Sequence, residues 1–173
     1  MSVSLEPEQS CLFNHFGAGT FLATDGKYNH PEEISIGSSV FIDHKYWINI
    51  IAKGIGHTPK IIIGELCRCE EGLIISVINK IELERNVRIG KYVCISDTDH
   101  AYKDIGKPIL TQGLTGVEGQ VWIGEGAVIE QGVVIAGNIR IGRGSIIRTN
   151  SLVEHDIPAH CIAEGVPARI VSS

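Results

Sequence analysis

The sequence has little of what helical bundles and membrane proteins are made from. Its 173 residues include one Met and two Trp, and aromatic residues make up only 6%. No run of about 18 apolar residues occurs, so we expect no insertion into a membrane. The first ten residues contain neither a basic segment nor an apolar one, and therefore do not predict a secretory signal. We accordingly expect a cytoplasmic protein.

Cysteine and positive charge are also limited. The chain has five Cys, an odd number, and the closely spaced Cys67 and Cys69 have no matching pair elsewhere. Apart from His100, the His residues are scattered along the chain. This pattern predicts neither a disulfide framework nor a zinc site, so we expect no metal. A net charge of −5 disfavours non-specific binding to nucleic acid, and we expect no such partner.

The sequence is instead rich in branched apolar residues and glycine, with 28 Ile, 13 Val and 20 Gly. Branched side chains suit a pleated strand and lose χ1 freedom in a helix, so the composition favours β structure. From Val121 onward the chain repeats every six residues, a period that matches neither a helix nor a simple strand. Hexapeptide repeats of this kind are typical of β-helices. The repeated apolar residue stands at Ile123, Ile129, Ile135, Ile141, Ile147 and Val153.

Three hexapeptides are expected to close one triangular coil of about 18 residues. The apolar column points inward and stacks on the coils above and below, and each buried side chain contributes about 1.5–3 kcal/mol. A single coil cannot bury this column without its neighbours. Glycines that follow the column residue, such as Gly124 and Gly142, are expected where a side chain would crowd the turn.

The repeat divides the chain into three segments. Residues 1–33 are polar and aromatic, and we expect them to form a capping segment over the first coil. Residues 34–156 are predicted to form the β-helix, and residues 157–173 leave the register as a C-terminal extension. The predicted fold class is therefore all-β, a parallel β-helix of hexapeptide repeats with an excursion loop and a short C-terminal segment.

The excursion loop, at about residues 97–120, is the candidate for chemistry, since a long loop inside a regular solenoid is usually functional. His100 lies at its start among acidic residues. An imidazole with a pKa near about 6.5 suits a general base for a hydroxyl or an amine, although a solvated loop His remains the alternative. Asp97, or a main-chain carbonyl, is the better acceptor for its second ring nitrogen, because Asp99 points the other way in an extended chain.

Two further features follow the loop. Trp122 opens the next coil, where it is either core filler or a flat wall beside a ligand channel. Arg140, Arg143, Arg148 and Arg169 cluster late in an otherwise acidic chain. They form either a solvated face or a phosphate-binding patch, since guanidinium binds phosphate in a bidentate manner.

Four segments, in this order, resemble the hexapeptide-repeat acyltransferases, and most of all their sugar O-acetyltransferase branch. The resemblance covers about residues 34–171 and implies a left-handed parallel β-helix, a homotrimer with active sites between subunits, and acetyl-CoA as co-substrate. It also implies that His100 is the catalytic base of a direct transfer, with backbone N–H groups holding the oxyanion. The segments are ISDTDHAYKD, KPILTQG, VWIGEGAVI and DIPAHCIAEGVPARIV.

The resemblance also implies roles for residues outside the loop. Arg169 matches the basic residue that meets the CoA phosphates, Trp122 matches the aromatic residue after the loop, and Thr149 lies where the family offers backbone groups to the pantetheine arm. We expect Asn79 and Tyr102 to contact the acceptor. The chain lacks the Lys that many relatives have before the DIP motif, and we hypothesise that Arg148 replaces it in binding CoA.

The sequence thus predicts an acetyl-CoA-dependent O-acetyltransferase that acts on a sugar or polysaccharide precursor. An N-acyltransferase acting on an amino sugar would use the same base and remains open. A carbonic-anhydrase-like β-helix would need three converging His ligands. A non-catalytic assembly module would have no need for a long His-bearing loop.

Overall fold

The structure is a computed structural model that describes residues 10–52, 54, 58–101, 103–108, 111–115 and 118–173, and only the backbone of Asp99, His100 and Thr115. The described residues form 22 strands of two to five residues and one short 3-10 helix, Pro31–Glu33. No helix in this part of the chain has the length and apolar character needed to cross a bilayer.

Three parallel sheets form the faces of a triangular prism, and each coil contributes one strand to each face. Sheet 1 contains β1 (His15–Phe16), β4 (Ile34–Ile36), β7 (Ile61–Ile63), β10 (Lys80–Leu83), β15 (Gln120–Ile123) and β18 (Ile139–Ile141). Sheet 2 contains β2 (Phe21–Leu22), β5 (Phe41–Ile42), β8 (Arg68–Cys69), β11 (Arg88–Ile89), β16 (Val128–Ile129), β19 (Ile146–Ile147), β21 (Ile162–Gly165) and β22 (Ala168–Ser172). Sheet 3 contains β3 (Lys27–Tyr28), β6 (Trp47–Ile50), β9 (Ile74–Val77), β12 (Cys94–Ser96), β17 (Val134–Ala136) and β20 (Leu152–Val153).

The core is the stack of inward-facing apolar residues that the six-residue period predicts. All six predicted column residues from Ile123 to Val153 have no solvent exposure. In sheet 1 the column continues through earlier coils, with Ile36 opposite Ile63 and Leu83 opposite Ile123. Inserted segments therefore change the sequence spacing between coils but leave the stacking register unchanged.

Glycine is required where the chain turns from sheet 1 to sheet 2, a position that we call corner 1. A Cβ on Gly142 would lie 2.2 Å from the backbone nitrogen of Ala159 in the next coil. A Cβ on Gly124 would lie 2.5 Å from the backbone nitrogen of Arg143. The expectation that a side chain would crowd this turn is confirmed, and the obstacle is the backbone of the neighbouring coil.

The coils begin earlier than the six-residue Ile pattern. Strands β1, β2 and β3 pair in parallel with β4, β5 and β6, so a first coil lies inside the segment 1–33 that the sequence predicts to cap the helix. The open end of this coil is covered by Phe13, whose ring centroid is 5.3 Å from that of Phe16 and 5.0 Å from that of Tyr28.

The C-terminal segment closes the other end. Strand β21 adds to sheet 2 in parallel beside β19, and β22 then folds back antiparallel on β21. The last strand of sheet 2 thus runs against the direction of the coils and ends their repetition.

Both long insertions leave the prism at the same edge, where sheet 3 leads to sheet 1 of the next coil (corner 3). Residues 51–60 separate β6 from β7, and residues 97–119 separate β12 from β15. The opposite edge of sheet 3, where sheet 2 leads into it, is corner 2. These definitions locate the candidate site residues below.

Candidate active site

The excursion loop starts as a short antiparallel hairpin. Strand β13 (Asp99–His100) pairs with β14 (Leu114–Thr115), and the amide of Ala101 donates to the carbonyl of Gly113 at 3.0 Å. The His100 backbone therefore lies in the first strand of this hairpin, two residues after the buried Thr98. The His100 imidazole and the whole of Tyr102 lie outside the described part of the chain, so their predicted roles stay predictions.

Asp97, at the base of this loop, is fully buried and binds backbone amides. Its Oδ1 accepts from the amide of Ile78 at 2.9 Å, and its Oδ2 accepts from the amides of Asn79 at 2.7 Å and Lys80 at 3.0 Å. Burial raises the pKa of the Asp97 carboxyl above its usual range, and the three N–H donors offset part of that rise. The carboxylate thus caps the turn of the coil below, and its predicted contact with His100 stays a prediction.

Asn79 connects this capped turn to the far end of the loop. Its side-chain amide donates to the carbonyl of Gly119 at 3.1 Å, one residue before β15. At the near end, the hydroxyl of Ser96 donates to the carbonyl of Thr98 at 2.7 Å. Both ends of the loop are therefore fixed to the prism by polar contacts. The predicted contact between Asn79 and an acceptor stays a prediction.

Trp122 faces outward from sheet 1, so it is not part of the prism core. In register it lies between Glu82 and Arg140, and the guanidinium carbon of Arg140 is 4.5 Å from the centroid of its ring. Both side chains line a pocket of about 340 Å³ beside the end of the loop, together with Asn138 and Asp156. This position is compatible with a wall beside a ligand channel, one of the two roles predicted from the sequence.

Arg148 and Thr149 lie together at corner 2 and share one partner, Glu130. The Arg148 guanidinium donates to Oε1 of Glu130 at 2.9 Å, and both the amide and the hydroxyl of Thr149 donate to Oε2 at 3.0 Å. Partial burial acts to raise the pKa of Glu130, but these hydrogen bonds outweigh it and the pKa is lowered. Glu130 was not predicted from the sequence. Its position one residue after the column residue Ile129 places it at a corner but does not identify its partners.

Thr149 also lies at the edge of a groove that runs along sheet 2 and corner 2, which we call the sheet-2 groove. Its volume is about 580 Å³. The outward-facing side chains of Phe41, Arg68, Arg88 and Val128 line it on the sheet side. Sequence analysis missed Arg68 and Arg88, since 20 residues separate them and only the coil register brings them side by side.

Arg169 lies on β22, the last strand of sheet 2. It stands opposite Glu164 in the antiparallel pair, and its guanidinium donates to the carbonyl of Ala168 at 3.0 Å. Arg169 is thus on the same sheet as the groove, and its predicted contact with CoA phosphate stays a prediction.

Among the described residues, no three His, Cys, Asp or Glu side chains come together in an arrangement that could hold a metal ion. The thiols of Cys67 and Cys69 are buried inside the prism, and burial raises the pKa of Cys67 to about 11. These two residues are therefore core residues in the described structure.

Comparison with known proteins finds a family match for one segment of the chain. Residues 120–155 match the family described as bacterial transferase hexapeptide (six repeats). The matched stretch begins at β15, directly after the excursion loop, and ends beyond β20. The chain thus carries the hexapeptide repeat of bacterial transferases.

Solved structures share the whole architecture. A point mutant of AntD, an N-acyltransferase from Bacillus cereus, solved with dTDP and coenzyme A, matches with a TM-score of 0.81 at 18% identity, covering 100% of this chain and 91% of its own. A hexapeptide-repeat-containing acetyltransferase of Vibrio cholerae, solved with acetyl coenzyme A, matches with a TM-score of 0.65 at 21% identity, covering 95% of this chain and 73% of its own. At these identities the likeness establishes the fold, and the predicted left-handed parallel β-helix is confirmed.

The relatives by sequence include acetyltransferases. A probable acetyltransferase of Mycobacterium tuberculosis is 28% identical over 141 residues, which are 82% of this chain and 44% of that protein. This chain spans less than half the length of the curated relatives that it matches.

Proposed function

We propose that this chain is an acetyl-CoA-dependent O-acetyltransferase that acts on a hydroxyl of a sugar or polysaccharide precursor. The observation that carries this proposal is the placement of the loop bearing His100. It leaves the prism immediately before the coils that match the transferase hexapeptide family, and both of its ends are fixed there. Attachment of both ends of the loop favours catalysis, because a general base must be held within hydrogen-bond reach of the proton it takes.

The proposed reaction is a direct transfer with His100 as the general base. Acetyl-CoA, when bound, supplies the acetyl group as a thioester. His100 takes the proton of the acceptor hydroxyl while its oxygen bonds to the acetyl carbon, and gives the proton to the sulfur as the carbon–sulfur bond breaks. Backbone N–H groups would stabilise the negative charge that develops on the carbonyl oxygen.

The residues at corner 2 fit a CoA substrate. Thr149 and Glu130 line one edge of a groove of about 580 Å³, within the range of ligand-binding clefts, and the Arg148 guanidinium binds Glu130 there. Glu130 thus orients both Arg148 and Thr149. We propose that Arg148, Thr149, Arg169 and Trp122 contact CoA, and that Asn79 and Tyr102 contact the acceptor.

A site built from the loop and this groove requires more than one chain. Within a single chain, sheet 3 separates corner 3, which carries His100, from corner 2, which carries Thr149. One outward-facing row of sheet 3 is apolar over five coils, and its Trp47, Ile74 and Val134 are 50%, 36% and 38% exposed. We propose that copies of this chain cover that face in a homotrimer, which brings the loop of one subunit to the groove of the next.

The proposed compartment is the cytoplasm. The chain contains five cysteines, and the described structure contains no disulfide among them. Such cysteine use is typical of a reducing compartment.

Replacing His100 with Ala tests the catalytic assignment. Loss of a general base lowers kcat by about 10²–10⁴-fold, whereas acetyl-CoA binding should persist. The matched control is His15→Ala, because His15 is an exposed His in the first coil. Release of CoA thiol with a panel of sugar acceptors measures the rate, and full activity of the His100 variant would contradict the proposal.

The oligomer has its own test. Val134→Lys places a charge on the apolar face of sheet 3, and sedimentation should show dissociation to smaller species. Ile62→Lys, a matched aliphatic substitution on the outward face of sheet 1, should leave the trimer intact. Equal behaviour of the two variants would exclude sheet 3 as the interface.

A second candidate function is N-acylation of an amino sugar. It is supported by the likeness to AntD, an N-acyltransferase, over the entire chain. Hydroxyl and amine acceptors offered in parallel separate the two functions, because the preferred acceptor shows the higher kcat/KM.

A further inference from the structure

The sheet-2 groove contains two arginines that the proposed catalytic roles do not use. Arg68 on β8 and Arg88 on β11 stand directly opposite each other in register, and both face outward. Neighbouring strands are about 4.8 Å apart, so these two positive charges are adjacent. Like charges in this position destabilise a sheet, which calls for something that offsets their repulsion.

No described carboxylate lies close enough to either guanidinium to offset this repulsion directly. Neither guanidinium forms an ion pair with any described carboxylate. Arg68 instead lies over the ring of Phe41, with its guanidinium carbon 4.8 Å from the ring centroid. Arg88 has no such aromatic partner among the described residues.

The acidic residues in the same groove make no ion pair with Arg68 or Arg88. Glu130 is bound by Arg148 and Thr149, and the Asp43 carboxylate accepts from the amide of His44 at 2.9 Å. Glu70 is exposed at the corner-2 side of the groove. The sheet side of the groove is therefore basic, and its corner side carries the carboxylates.

We propose that Arg68 and Arg88 form a phosphate-binding pair in the sheet-2 groove. Guanidinium groups bind phosphate oxygens in a bidentate manner, and two adjacent groups offer donors to one phosphoryl or pyrophosphoryl group. The Phe41 ring beneath Arg68 holds that side chain over the groove and offers an apolar surface next to the phosphate. This inference deepens the proposed function and depends on it for the source of the ligand, which is either the CoA donor or a nucleotide-linked sugar acceptor.

Calorimetric titration of the full chain with inorganic pyrophosphate tests the pair itself. Wild-type protein should bind pyrophosphate, and Arg88→Gln and Arg68→Gln should each weaken binding about tenfold or more, since each removes a charge-assisted contact. Arg85→Gln is the matched control, because Arg85 is an exposed arginine at corner 1, outside the groove lining. Arg88→Lys should restore part of the affinity, since it keeps the charge but lacks the planar fork.

The charge of Glu70 provides a second, independent variant. Glu70→Gln removes a like charge facing the ligand and should tighten pyrophosphate binding, with a larger effect at low salt. Unchanged pyrophosphate affinity in both arginine variants, or no binding by the wild type, would overturn the proposal. Weaker pyrophosphate binding in Glu70→Gln would also contradict it, because removing a carboxylate from the groove should not weaken the binding of an anion.

Two further titrations identify the source of the phosphate. Loss of CoA affinity in Arg88→Gln, with uridine diphosphate binding unchanged, assigns the pair to the donor, and the reverse result assigns it to the acceptor. Transferase activity is measured separately. If Arg88→Gln leaves all three ligands unaffected while His100→Ala abolishes transfer, the phosphate site is wrong and the proposed function stands.

Discussion

Replacing Asp97 with Asn perturbs one side chain that three backbone amides depend on. The carboxylate accepts from Ile78, Asn79 and Lys80 at 2.7 to 3.0 Å and is fully buried. An Asn presents one oxygen and one NH2 group, so in either orientation the NH2 faces at least one of these donors. A buried donor left without an acceptor costs about 1–3 kcal/mol. For a domain of this size, that loss corresponds to a fall in Tm of about 2–12 °C.

The control for this substitution lies at the same edge of the prism. The exposed Asp156 accepts a single bond, from the amide of Arg140 at 2.7 Å, and its Asn variant can keep that bond. Asp156→Asn should therefore change the free energy of unfolding by less than about 0.5 kcal/mol. Urea denaturation followed by circular dichroism measures both variants. Equal losses of stability in the two would refute the assignment of Asp97 as the cap of the 78–80 turn.

The same variant separates capping from catalysis. At a temperature where Asp97→Asn is fully folded, a residue that only caps a turn leaves kcat within a few-fold of the wild type. A residue that orients His100 lowers kcat by orders of magnitude at the same temperature. The kinetic result therefore decides the role that the sequence predicts for Asp97, independently of the stability result.

Three further predictions concern the prism and its grooves. Gly142→Ala should lower the free energy of unfolding by about 3 kcal/mol, because its Cβ would lie 2.2 Å from the backbone of the next coil. Gly126→Ala, with φ of +69° and open space around it, should cost only about 1 kcal/mol, and equal costs would contradict the close approach. Arg148→Ala should raise the KM for acetyl-CoA with kcat unchanged, and an unchanged KM would remove Arg148 from the CoA site. Iodoacetamide at pH 8 should modify the exposed Cys11 but not Cys67, and mass spectrometry showing equal labelling would contradict the burial of Cys67.

The six-residue pattern extends further towards the N-terminus than the Ile column. Phe16, Leu22 and Tyr28 keep the six-residue spacing of the later coils, yet two of the three are aromatic. In the structure these residues occupy the first coil, where the open end leaves room for rings to pack with Phe13. The physical reason is that a terminal coil has a neighbour on one side only, so larger side chains fit there.

The site residues divide into those that the sequence pattern places and those that only the stacking of coils places. The position of the loop follows from the repeat and its interruption, whereas the sequence left Trp122 either in the core or beside a channel and the structure places it outward. The contacts of Asp97 with residues 78–80, and the juxtaposition of Arg68 with Arg88, join residues about 20 positions apart. Such pairs depend on the length of each coil, and a six-residue period does not specify that length when insertions occur at the corners.

The sequence by itself determined the prism, because a six-residue apolar period can be buried only by stacking triangular coils. It also determined where the prism is interrupted, since the longest break in that period begins after Ser96 and carries His100. The tertiary structure alone decided which polar residues meet across coils: the buried cap of Asp97, the Glu130 contacts of Arg148 and Thr149, and the arginine pair of the sheet-2 groove. Those contacts run perpendicular to the chain, and their partners are set by the stacking of whole coils rather than by the spacing of neighbouring residues.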